Sequence, residues 1–138
     1  MSTDYTNCRT LAKVELPTDL TASANHSASE AILKTYCQSG KQWVAQGAII
    51  HIITAASTNG HALELWKSSS SGSFASGATS LGSVSIGTAD VAGTKKVIMF
   101  PTADCFLGEN QLVRAYFTSA GADATLKYSV EIFGNSSL

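Results

Sequence analysis

Residues 124–132 read Ala-Thr-Leu-Lys-Tyr-Ser-Val-Glu-Ile, and their alternation decides the fold class. Ala124, Leu126, Tyr128, Val130 and Ile132 are apolar, and the residues between them are polar. A period of two over nine residues is the pattern of a strand with one dry face and one wet face. Such a strand needs a second layer over its apolar side, so the sequence predicts a domain of packed sheets.

Working outward, residues 112–118 form a second apolar run, joined to the first by a Ser-Ala-Gly-Ala-Asp turn. The spacing predicts a C-terminal hairpin. In that run Leu112 and Tyr116 lie on one side and Val113, Ala115 and Phe117 on the other. This second apolar face reads as the place where a partner subunit packs.

Further upstream, residues 48–54 are apolar on both sides of a strand, as in a central strand covered on both faces. Asn59-Gly60 follows, then a strand over 62–67, which together read as a hairpin. A second hairpin is expected about the turn Ser39-Gly40-Lys41-Gln42. Residues 29–38 fit a strand better than the helix that a Ser27-x-x-Glu30 capping box would allow. Lys95 to Phe100 reads as a strand entering the core with Val97, Ile98, Met99 and Phe100. Leu11 to Leu16 reads as a short strand, and 81–86 as a weak one.

The resulting expectation is an all-β, single-domain antiparallel β-sandwich, jelly-roll or immunoglobulin-like, of about seven or eight strands. Residues 1–10 read as a polar N-terminal arm and 11–138 as the sandwich, with a polar, free tail from Gly134. The serine-rich stretch 68–80 carries little core pattern except Phe74, and reads as a connection or a partner-contacting loop.

The chain has 138 residues, enough for one self-sufficient core. Charged residues are 14% against 44% hydrophobic, where roughly 25% charged is usual. Low charge with many small residues fits equally a surface engaged in subunit contacts, where charge is depleted, and a soluble protein with a hydroxyl-rich surface. Net charge is −1 and Lys95-Lys96 is the nearest thing to a basic cluster, so no nucleic-acid footprint is expected. No apolar run approaches the ~20 residues of a membrane span. Cys8, Cys37 and Cys105 are widely spaced, which predicts reduced thiols, no zinc site and assembly in a reducing cytoplasm.

No catalytic residues, cofactor or metal are expected. The serines form no nucleophile elbow, and His51 lies alone in an apolar strand, as a core or subunit-contact histidine. The glutamates stand singly, unlike a glycosidase pair. Trp66 lies opposite Leu63 and Leu65, so it faces solvent or a partner. The interface residues read from the sequence are therefore Trp66, Val113, Phe117 and Phe74.

Three stretches carry a resemblance. Residues 31–37 (Ala-Ile-Leu-Lys-Thr-Tyr-Cys), 42–54 (Gln-Trp-Val-Ala-Gln-Gly-Ala-Ile-Ile-His-Ile-Ile-Thr) and the strand, glycine turn and strand of 112–133 resemble small virion proteins of tailed bacteriophages, of the capsid decoration (cement) or head accessory type. The resemblance implies a non-enzymatic protein that binds the assembled head and stabilises capsomer contacts. It implies a homotrimer bound to the major capsid protein, on the capsid surface of the virion, assembled in the host cytoplasm. The alternatives are a phage tail or fibre domain binding host surface carbohydrate, and a small enzyme built on His51.

Overall fold

The computed structural model describes residues 9–16, 28–32, 42–69, 79–108, 111–119 and 125–137. Among these residues nine strands run in order: β1 (Arg9–Leu16), β2 (Ala28–Ile32), β3 (Gln42–Thr54), β4 (His61–Ser69), β5 (Thr79–Ile86), β6 (Lys95–Met99), β7 (Phe106–Leu107), β8 (Gln111–Ser119) and β9 (Lys127–Ser137). A 3-10 turn, Thr102–Asp104, separates β6 from β7. Among the described residues there is no α-helix, so none is long and apolar enough to cross a membrane.

Two antiparallel sheets form. One has the order β1-β9-β3-β6, with β7 also on β3; the other is β2-β8-β4-β5. The pairings nest: β1 with β9, β2 with β8, β3 with β6, β4 with β5. A chain folded as one long hairpin and rolled into two sheets has this nesting, so the sandwich is a jelly roll and not an immunoglobulin-type domain.

The roll corrects the expected hairpins. β2 and β3 lie in different sheets, as do β3 and β4, and β8 and β9. The segment with Asn59-Gly60 therefore joins strands across the sandwich, and the strands flanking 33–41 and 120–124, which lie outside the described residues, belong to different sheets. A true hairpin is β4–β5, which spans the serine-rich stretch: Lys67 pairs with Thr79 and His61 with Ile86.

Alternation places the core. Leu126, Tyr128, Val130 and Ile132 are all fully buried, and Lys127 between them is exposed. β3 contributes Ala48, Ile50 and Ile52, and the facing sheet contributes Leu63, Leu65, Leu81, Ile86 and Ala115. Each large aliphatic side chain so buried stabilises the fold by about 1.5–3 kcal/mol. The expected free tail is instead the end of β9: Gly134, Asn135, Ser136 and Ser137 pair with Ala45, Val44, Trp43 and Gln42. The expected arm 1–10 falls mostly outside the described residues, although Arg9 and Thr10 pair with Gly134 and Phe133.

One corner of the sandwich is closed by a glycine. Gly82 has φ +144, and a Cβ there would stand 2.6 Å from Ile98 Cγ2. β5 can thus lie against β6 only because position 82 has no side chain and tolerates positive φ. Beside it Lys96 Nζ donates to the Ser85 carbonyl at 2.7 Å and pairs with Asp90 at 3.0 Å. The Gly87 N–H bonded to Asp90 at 2.7 Å and the Lys96 ammonium hold the Asp90 carboxyl below the usual carboxylate range.

Candidate interaction surface

The two sheets differ on their outward faces. On the β2-β8-β4-β5 sheet, register places Trp66 opposite Arg114 and Ser68 opposite Leu112. Leu112 is 0% exposed, Ser68 2% and Arg114 4%, although they point away from the core face that Leu63, Leu65 and Ala115 share. Arg114 Nε donates to Ser68 Oγ at 2.5 Å, and Ser80 Oγ donates to Glu64 Oε1 at 3.0 Å. Both bonds run between side chains of this outward face.

That outcome relocates the residues read from the sequence. Trp66 does lie opposite Leu63 and Leu65, as expected, but it is half-buried beside a covered arginine. Val113 shares its face with Ala115 and is 1% exposed within the sandwich core. The apolar side of β8 that was expected to receive a partner is the side that packs against the other sheet. Phe117 lies on β8 in register with Leu63, and Phe74 falls outside the described residues.

The outward face of the β1-β9-β3-β6 sheet is different. Register sets Ile49 beside Val97 and Glu131, Gly47 beside Met99 and Phe133, and Val44 beside Phe106. Met99 is 66% exposed, Val97 56% and Phe106 47%, with Ile49, Phe133 and Val44 half-buried among them. Phe133 lies on Gly47: a Cβ at 47 would meet the ring at 2.9 Å and the Ile98 carbonyl at 2.5 Å. The missing side chain makes room for the ring beside β3 and extends the apolar band across three strands. The band continues along β3 because Phe100 N bonds Gln46 O at 3.0 Å and Ala45 N bonds Cys105 O at 2.7 Å, bridging the gap between β6 and β7.

Polar groups fringe the band. On the β1 side Lys13 stands beside Glu131, which accepts a hydrogen bond from Thr10 Oγ1. Along the next row lie Glu15, Ser129, His51 and Lys95. His51 is exposed on this face, as a subunit-contact histidine would be, and not in the core. A catalytic relay needs its histidine between serine and carboxylate. Here register sets Ser129, itself buried, between Glu15 and His51. Among the described residues no three His, Cys, Asp or Glu side chains gather where they could hold a metal.

The band was missed in the sequence for an identifiable reason. Val97, Ile98, Met99 and Phe100 are consecutive apolar residues and read as core; only Ile98 and Phe100 are buried. Strict alternation applied inside that run separates the outward pair from the inward pair.

No family model matches the chain, and no curated protein matches it. Among solved structures, a chain in a structure of infectious bursal disease virus Gx strain is similar at TM-score 0.42 and 10% identity, over 91% of this chain and 30% of that one. A chain of the Gt strain is similar at TM-score 0.36 and 8% identity, over 93% and 32%. This chain spans about a third of the length of each.

Proposed function

We propose that this protein is a non-enzymatic structural component of a virion, of the capsid decoration or cement type, and that it docks on the assembled head through the outward face of its five-stranded sheet. The observation that carries the reading is the band formed by Val97, Met99 and Phe106 with Ile49, Phe133 and Val44. Contiguous exposed apolar surface of this kind, rimmed by polar residues, marks an interaction site. It lies on paired strands, which hold it in shape. The resemblance of residues 31–37, 42–54 and 112–133 to phage decoration proteins supplies the partner: the major capsid protein of the same particle.

The mechanism is physical. A protein that binds only the assembled shell stabilises it by mass action, by about 2.7 kcal/mol at a hundred times Kd. The homotrimer that the resemblance implies is a separate part of that reading; the open edge of β6 argues for a twofold contact, developed below.

The test is co-sedimentation of the purified chain with particles of the source virus. Wild type is expected to pellet with assembled shells. Replacing Val97 and Met99 by Ser is expected to weaken binding tenfold or more, since about 1.4 kcal/mol of lost apolar contact is enough. No co-sedimentation of the wild type would overturn the proposal.

A further inference from the structure

β6 stands at the edge of the sheet, and its hydrogen-bonding parity is fixed by its neighbours. Phe100 N bonds Gln46 O at 3.0 Å and Ile52 N bonds Thr94 O at 2.9 Å. The pairs between them, Ala48 with Ile98 and Ile50 with Lys96, have the same parity. In an antiparallel ladder such pairs alternate with ones whose N–H and C=O point the other way. The backbone groups of Lys95, Val97 and Met99 therefore point away from β3, to the side on which no described strand of this sheet lies.

We infer that this edge pairs with the same edge of a second copy, antiparallel about a twofold axis at Val97, so that the two five-stranded sheets become one. The pattern of the strand selects this partner and this register. Centred on Val97, Lys95 lies opposite Met99 of the second copy and Lys96 opposite Ile98, so all five residues of β6 find partners. No like charges oppose each other, and the Lys95 stem can lie along Met99. Centred on Lys96, the two copies' Lys96 side chains would face each other. Centred on Ile98, Lys95 would lie opposite Pro101, which has no N–H to give. A slip by a single residue would set outward side chains against inward ones.

The lysines that would otherwise blunt this edge thus act as a register key. Lys96 is already turned to the other sheet, held by Asp90 and the Ser85 carbonyl. Pairing also joins the apolar bands of the two copies, because Val97 and Met99 of both stand on the same outward face. The dimer presents a surface of twice the width, which deepens the docking face without depending on what it docks against.

Light scattering coupled to size exclusion tests this on the full chain alone. The expected mass is twice the 14.4 kDa of one chain. Val97→Pro removes only an outward N–H and is expected to weaken dimerisation about thirtyfold, from two lost hydrogen bonds at the axis. Circular dichroism checks that the sandwich persists. Should Val97→Pro not fold, oxidation of Val97→Cys reads the same contact. The two Cα atoms would lie about 5.5 Å apart, within disulfide reach. Met99→Cys is the register control: its counterpart would lie about 13 Å along the strand and should not cross-link. A monomeric or trimeric wild type, or equal cross-linking by both cysteine variants, would overturn the inference. Neither result depends on capsid binding, so the two proposals fail separately.

Discussion

Single positions carry the sandwich, and Tyr128 is the most instructive. Among the described residues it is the largest of the fully buried side chains, near the start of β9 and opposite Ile52. Burial pushes its phenol far above the ordinary tyrosine range, because the ionised form would have no water. Folded protein therefore holds that proton where unfolded chain releases it. The stability it confers is complete below about pH 10 and falls above it by about 1.4 kcal/mol per pH unit. Denaturant midpoints taken from about pH 8 to about pH 11 should show this decline, and Tyr128→Phe should remove the part due to this residue. An unchanged alkaline slope in the variant would contradict the assignment. Gly82 and Gly47 act in the opposite manner, by what they lack: one admits β5 to the corner, the other admits the Phe133 ring to the surface band.

At the level of the strand, β9 extends five residues beyond the alternating stretch that identified it, and those residues are ordinary ladder members beside β3. Deleting residues 134–138 should lower unfolding stability by on the order of 2–4 kcal/mol, from the lost strand bonds. A free tail would cost nothing, so a urea titration separates the two. The sequence hid this pairing because Gly134, Asn135, Ser136 and Ser137 have the composition of a loop. What was legible was local: alternation in 124–132 located the inward face, and Leu63 and Leu65 were correctly set against Trp66. What was not legible was which sheet each strand joins. Asn59-Gly60 marks a turn, but a turn says nothing about whether the chain continues beside its last strand or crosses the core. The same ambiguity put Val113 on a partner face. Its role depends on β2 and β4 flanking β8, and both are distant in sequence. Val97 and Met99 suffered the converse error, since four apolar residues in a row mask their own period.

The molecule as a whole is a roll whose nested pairs are increasingly non-local from β4–β5 outward to β1–β9. Chains dominated by distant pairings fold slowly, so refolding should take milliseconds to seconds; a microsecond phase restoring full native signal in stopped-flow fluorescence of Trp43 would contradict the topology. The placement of β9 has a further consequence, for synthesis. It lies between β1 and β3, so the last of the described strands in chain order is an interior strand of its sheet. Until it emerges from the ribosome, β1 has no neighbour in its sheet and β3 lacks one flank. The five-stranded sheet, with the outward band that it carries, is then completed only once β9 has emerged. A nascent chain stalled before Lys127 should be cut readily by protease, while the released chain resists. Under the proposed function, a copy still lacking β9 would lack the surface with which it docks.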